Sequence, residues 1–227
     1  MLTDTPADHH ALMDQVYRDQ RHLYDFTRKF YLFGRDSLIQ DLALAPGERV
    51  AEIGCGTARN LIAMAQAYPG ASLYGLDASA QMLKTAAQSA ARAGLAGHIR
   101  LAKGLAEELD PALFGEDRPF DRIIFSYSLS MIPDWEQALT AAATALAPGG
   151  RIEIVDFGDF ARLPRPLALA LRKWLSLFHV EPRTEILKHL ESRRAQNIEK
   201  DDSLRILPGR YAFLWRGGAK AVAGTRV

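Results

Sequence analysis

Val50-Ala51-Glu52-Ile53-Gly54-Cys55-Gly56-Thr57-Ala58-Arg59-Asn60 is the stretch that decides the fold. Val50 to Ile53 reads as a short buried strand, and Arg59 to Ala67 as a helix. Between them Gly54 and Gly56 leave out side chains where backbone must turn sharply and a ligand can approach closely. Strand, glycine turn and helix in that order form a nucleotide-binding turn. A bare Gly-x-Gly is common, but two departures from the dinucleotide pattern give this one direction. Where a dinucleotide fold places a third glycine beside its pyrophosphate, this chain has Arg59. Glu52 stands two residues before Gly54, and a carboxylate near a helix start repels phosphate. The turn therefore suits a ligand bearing an ammonium and a sulfonium better than one bearing two phosphates. Cys55 reads as a small residue in a tight turn.

Working outward, Ser72 to Leu76 is a strand, and Asp77 follows at its end, 21 residues after Gly56. A carboxylate there can accept from both hydroxyls of a ribose, though it can equally cap the helix expected from Ser79 to Ala93. Ile99 to Leu101 is a third strand, followed by Gly104-Leu105-Ala106-Glu107-Glu108-Leu109. Arg122 to Tyr127 is a buried strand within Phe120 to Ser128, and Asp134, with Gln137 three residues on, opens a helix in capping-box spacing. Leu146-Ala147-Pro148-Gly149-Gly150 closes that helix ahead of a strand from Arg151 to Phe157. Strands alternating with helices require crossover connections and a mostly parallel sheet. Leu204 to Leu207, Pro208-Gly209, then Tyr211 to Trp215 read as an antiparallel hairpin. The expectation is a doubly wound α/β fold, a seven-stranded sheet ending in that hairpin, in a single domain. Residues 1–44 are expected to form a helical lid, 45–160 the ligand-binding core, and 161–227 the substrate side.

The bulk composition constrains partners. In 227 residues, 28 basic against 27 acidic side chains leave a formal net charge of +1, so no global field draws nucleic acid. The one cysteine excludes an intrachain disulfide and fits a reducing cytoplasm. Met1 to His10 lacks a signal-peptide pattern. Leu163 to Val180 is apolar but interrupted by Pro166, Arg165, Arg172 and Lys173, so it reads as an interfacial or sheet-covering helix, not a span. In the first helix, Tyr17, Arg21, Tyr24, Arg28, Tyr31 and Arg35 recur in steps of four and three. They form one stripe, which Gly34 can break before Arg35. That stripe is either stacked surface or a lid whose guanidinium forks hold carboxylates and whose rings face cations.

Taken in order, these five segments resemble the class I S-adenosylmethionine-dependent methyltransferases over about residues 45–160. The resemblance implies S-adenosylmethionine as cofactor. The contacting candidates are Tyr24, Arg28, Glu52, Gly54, Cys55, Gly56, Asn60, Asp77, Ala78, Met82, Leu105, Ala106 and Ser126. The chain departs from the family at Leu105, where an acid often holds the adenine amino group; here only backbone groups of Leu105 and Ala106 can touch the ring edge. The flanks are similar to bacterial betaine-lipid N-methyltransferases: Tyr24 to Asp36, Asp156-Phe157-Gly158-Asp159, Phe178 to Arg183, and Pro208-Gly209-Arg210-Tyr211-Ala212. That similarity implies three successive methylations of the amine of a diacylglyceryl homoserine. A methyl acceptor must be a neutral amine. Tyr127 and His179 are the candidates to contact it or relay its proton, with plain packing as the alternative for each. Tyr31, Arg35 and Arg183 are the substrate-binding candidates, Arg28 and Arg183 as carboxylate holders. No metal is expected. The expected partner is a lipid head group met at the cytoplasmic membrane face. Another lipid, a quinone or a small molecule as acceptor, or a non-catalytic binding module, are the rivals.

Overall fold

The computed structural model describes residues 32–176, 180, 182–196 and 202–222. Tyr24, Arg28, Tyr31 and His179 lie outside the described residues, as does the expected helix through residues 8–31.

Helix α1 (Arg35–Asp41) is followed by β1 (Arg49–Ile53), α2 (Arg59–Ala67), β2 (Ser72–Asp77), α3 (Ala80–Arg92) and β3 (Ile99–Lys103). Then come β4 (Phe120–Ser126), α4 (Trp135–Ala145), β5 (Leu146–Phe157), α5 (Arg165–Ser176), α6 (Thr184–Ala195), β6 (Ser203–Ile206), β7 (Ala212–Gly217) and α7 (Ala219–Val222). The seven strands lie in the order β3-β2-β1-β4-β5-β7-β6. β1 to β5 pair in parallel, while β7 runs antiparallel to both β5 and β6. The order reverses between β1 and β4, and ligands of open α/β sheets bind outside the carboxyl ends of the strands at such a point.

Successive strand residues face opposite sides. Val50 packs in the apolar layer with Leu61 and Met64 of α2, whereas Ala51 and Ile53 pack in the opposite layer with Ala138 and Leu139 of α4. By the same alternation Glu52 lies on the Val50 side, beneath α2, and Asp77 shares the side of Leu73. Both acids thus lie on one face of the sheet.

Three local expectations are corrected. Gly34, at φ +90°, is non-helical, so Arg35 opens a fresh helix and does not prolong the Tyr/Arg stripe. That helix ends at Asp41. Asp134 does not cap α4 through a backbone N–H; instead Gln137 Nε2 donates to Asp134 Oδ2 at 2.5 Å. Ala147-Pro148-Gly149-Gly150 falls inside β5, because pairing with β4 already begins at Leu146 and the register shifts before Arg151. Ser79 does cap α3, its Oγ accepting from Met82 N–H at 3.2 Å.

Candidate active site

The turn after β1 is fastened to the end of β2. Gly54 and Cys55 N–H both donate to the Leu76 carbonyl, at 2.8 and 3.0 Å. Gly54 has φ +71°, and a Cβ built on it would lie 2.5 Å from Ser128 Cβ. Close approach of the loop following β4 therefore excludes a side chain here. Ser128 Oγ donates to the Ile53 carbonyl at 2.6 Å and fixes that approach.

Asp77 is where the first two sequence segments meet. Its Oδ2 accepts Gly56 N–H at 2.8 Å and its Oδ1 accepts Ser79 N–H at 2.9 Å. An ionised carboxylate offers about four acceptor positions, so these bonds leave room for two ribose hydroxyls. Gly104 N–H donates to the Asp77 carbonyl at 3.2 Å, which brings Leu105 and Ala106 alongside. Glu108 does not replace the acid absent at position 105, because its carboxylate is turned onto Leu105 N–H at 3.2 Å. Ala78 precedes the α3 cap, and Met82 is buried in the first turn of that helix.

Glu52 is buried and accepts from Asn60 Nδ2 at 2.6 Å, so this pair forms one polar unit under the turn. The Cys55 thiol is pushed well above its ordinary pKa, first by burial and then by the charges of Asp77 and Glu52. It stays protonated and is no nucleophile. Arg59 reaches Asp36 of α1 at 2.8 Å and Asn60 Oδ1 at 3.2 Å, bracing α1 across the start of α2. Ser126 Oγ, at the end of β4, is buried and has no hydrogen-bond partner among the described residues. A glycine turn without phosphate-binding character, a carboxylate at the β2 end and an orphaned hydroxyl at the β4 end fit a cationic sulfonium nucleoside.

Beyond β4 the structure reassigns two candidates. Tyr127 is left-handed at φ +55°, and only 2% of it is exposed. Its hydroxyl donates to the Phe33 carbonyl at 2.5 Å. Burial, then Tyr211 and Asp156, raise its pKa well above the ordinary phenol value, against a smaller opposing pull from Arg35. The phenol keeps its proton and commits it to Phe33, so Tyr127 anchors the N-terminal segment and is not a proton relay. Tyr127→Phe should cost about 1 kcal/mol of stability, one neutral hydrogen bond, and leave kcat within about twofold. Denaturant titration and methylation rates check this together. Arg183, expected to hold a carboxylate, spends Nε on the Ser130 carbonyl at 2.9 Å and Nη1 on that of Pro133 at 3.1 Å. It staples the loop after β4. Arg35, by contrast, is buried close enough to Tyr127 for its charge to act on the phenol.

Around them lies an aromatic wall. Tyr127 packs on Phe157 with ring centroids 4.7 Å apart, Phe157 on Tyr211 at 6.0 Å, and Tyr211 on Phe160 at 5.5 Å and Phe33 at 5.3 Å. Gly158 N–H donates to the Tyr211 carbonyl at 2.8 Å and Phe160 N–H to that of Arg210 at 3.1 Å.

Asp156 carries a role the sequence gave no sign of. Fully buried, it accepts Ser130 N–H at 2.9 Å and Phe157 N–H at 2.8 Å, and so holds the turn Leu129–Met131 beside the site. Burial raises its pKa to about 6, from an ordinary 3.8, although those N–H bonds pull it down. The folded state therefore holds this proton more tightly than the unfolded chain does. Stability is greatest below pH about 4 and falls by on the order of 3 kcal/mol as pH rises to about 6. Asp156→Asn should flatten that slope in denaturant titrations taken across the window.

Residues 50–150 match the model of a methyltransferase domain. The chain is 31% identical over 143 residues to a demethylmenaquinone methyltransferase of Geobacillus kaustophilus, covering 63% of this chain and 55% of that protein. It is 29% identical over 196 residues to a ubiquinone/menaquinone biosynthesis C-methyltransferase of Syntrophotalea carbinolica, covering 84% and 77%. With a trans-aconitate 2-methyltransferase of Streptomyces coelicolor it shares 31% over 187 residues, 81% of this chain and 54% of that one. The chain thus spans little more than half the length of several of these relatives. In fold it matches an O-methyltransferase family protein from Burkholderia thailandensis, with TM-score 0.68 and 16% identity over 96% of this chain and 64% of that one. It also matches the S-adenosylmethionine-dependent methyltransferase SibL, with TM-score 0.64 and 20% identity over 92% and 61%.

Proposed function

We propose, on the premise that residues 50–150 form a class I S-adenosylmethionine-dependent methyltransferase domain, that this chain methylates the amine of a lipid head group, a diacylglyceryl homoserine, to a betaine. One observation carries the reading. Asp156 to Asp159 and Pro208 to Ala212, the flanking segments that resemble betaine-lipid N-methyltransferases, are hydrogen-bonded to each other at the end of β5, against Tyr127.

The cofactor supplies a methyl group on a positively charged sulfur. Asp77 holds its ribose hydroxyls, the Gly54–Gly56 turn admits its backbone-facing side, the Glu52–Asn60 pair favours its amino group, and Ser126 offers a hydroxyl. Leu105 and Ala106 border the base. On the acceptor side the aromatic wall excludes water and favours a cationic product over an anion. The buried Arg35 stands ready for the homoserine carboxylate. Neither Tyr127 nor Asp156 is arranged as a base, so the amine enters neutral or sheds its proton to water. Holding it in line with the methyl provides most of the acceleration.

The relatives that act on quinones favour one second reading, methylation of a quinone ring carbon. Incubation with S-adenosylmethionine and either diacylglyceryl homoserine or a demethylated quinone, followed by mass spectrometry, separates the two. Gains of one to three methyl units on the homoserine lipid support the proposal, and gains confined to the quinone overturn it. Cofactor binding without turnover on either would make the chain a binding module.

A further inference from the structure

We infer that the outer face of α5 docks on the surface of an anionic lipid bilayer. The inference extends the lipid-acceptor reading by naming the surface from which the acceptor is drawn.

Helix α5 is held from one side only. Leu175 is fully buried, Ala168, Leu171 and Trp174 pack against the core, and Arg172 lies over the Phe160 ring, donating to the Asp159 carbonyl at 2.7 Å. At about 100° per residue, the remaining arc runs in angular order Leu169, Lys173, Pro166, Ala170 and Leu167. All five are exposed, Leu169 to 68% and Leu167 to 54%. They are two of only four large apolar side chains so exposed among the described residues. A solvated helix would carry its polar side chains on this arc. Here the arc holds a single Lys, whose stem can lie along an apolar surface with its head in water.

Charge selects the occupant. From Phe160 to Val180 the sequence carries Arg162, Arg165, Arg172 and Lys173 and no Asp or Glu, in a chain whose overall charge is only +1. Arg165 and Arg172 border the apolar arc on one side. Arg162, just before the helix, lines a cavity of about 260 Å³ with residues 206–210, so the basic border continues into a recess. Exposed leucines edged by cations and free of acids match an anionic bilayer, where apolar insertion and attraction to head groups add. The placement has a functional consequence. Phe160, under Arg172, belongs to the aromatic wall, so the docked face adjoins the acceptor side of the site.

The test uses the full chain with phosphatidylcholine vesicles and with mixed phosphatidylcholine–phosphatidylglycerol vesicles, and no methyl acceptor. Sedimentation should show binding to the mixed vesicles and little to the neutral ones. Leu167→Ser/Leu169→Ser and, separately, Arg165→Gln/Lys173→Gln should each weaken it about tenfold, since each basic residue near such a surface is worth about 1 kcal/mol. Calorimetry with S-adenosylmethionine on the same proteins should be unchanged. Equal vesicle binding by wild type and variants, or none by wild type, overturns the inference. A wild-type dimer that the double leucine variant dissociates would overturn it too, assigning the face to a second copy. Loss of cofactor binding in wild type would instead strike the methyltransferase premise, and leaves the vesicle result to stand by itself.

Discussion

Asp77→Ala is expected to raise the dissociation constant for S-adenosylmethionine, and for its demethylated product, about a hundredfold. The expectation follows from what this carboxylate does at the end of β2. It accepts Gly56 N–H at 2.8 Å and Ser79 N–H at 2.9 Å, and it alone joins the glycine turn, the α3 start and the ribose position. Each hydrogen bond to a charged group contributes about 1.5–3 kcal/mol, and removing two hydroxyl partners forfeits roughly 3 kcal/mol even allowing for non-additivity. At 1.4 kcal/mol per decade that is about two powers of ten. The Gly56 and Ser79 N–H groups also lose their acceptor, so the turn loosens in the same direction. Asp77→Asn should fall between, because the amide keeps one acceptor oxygen but presents a donor where the other stood. Titration calorimetry on protein of unchanged circular dichroism is the measurement. An Asp77→Ala variant that binds both nucleosides as tightly as wild type would remove the ribose assignment and, with it, the reading of the whole turn.

The parts of this architecture that were legible are those in which a single residue type meets a local demand. Val50 to Ile53, Arg122 to Phe125 and Ile152 to Phe157 read as buried strands because a parallel sheet covered on both faces needs near-continuous apolar runs, and the structure places them in β1, β4 and β5. Asp77 could be placed because strand and helix lengths fix how far it lies from the turn. The illegible parts depend on partners distant in sequence. Tyr127 ends on the Phe33 carbonyl 94 residues away, and Arg183 on carbonyls 53 and 50 residues away. In the sequence each is simply a polar tip in search of a ligand, and backbone oxygens carry no sequence signature. Asp156 was silent for the same reason: a carboxylate in a buried strand implies a hydrogen-bonded partner, but not that the partner is the turn after β4. Arg59 shows the converse. Its presence excluded a pyrophosphate correctly, while its ion pair with Asp36 across α1 could not be foreseen.

The second large effect concerns Gly54→Ala, expected to destabilise the fold by about 3 kcal/mol and to weaken cofactor binding with it. Two costs combine. At φ +71° an L side chain is disfavoured by roughly 1–2 kcal/mol. The added methyl would also stand 2.5 Å from Ser128 Cβ, which must move, and overpacking of that kind costs about 1–3 kcal/mol. Ser128 cannot move freely, because its Oγ is bonded to the Ile53 carbonyl at 2.6 Å. Gly115→Ala isolates the first cost, since Gly115 has nearly the same φ, +70°, but nothing within 4 Å of its would-be Cβ. That variant should lose only about 1 kcal/mol. The second cost is isolated by combining Gly54→Ala with Ser128→Gly, which deletes the atom in the way. If the β1 turn and the β4 loop are pressed together as described, the double variant is more stable than the sum of its single changes, by about 1–2 kcal/mol in a double-mutant cycle. Strict additivity in that cycle would mean that the two loops do not meet at Gly54. The orphaned Ser126 hydroxyl and the Asp77 carboxylate would then no longer be held toward one ligand by this contact.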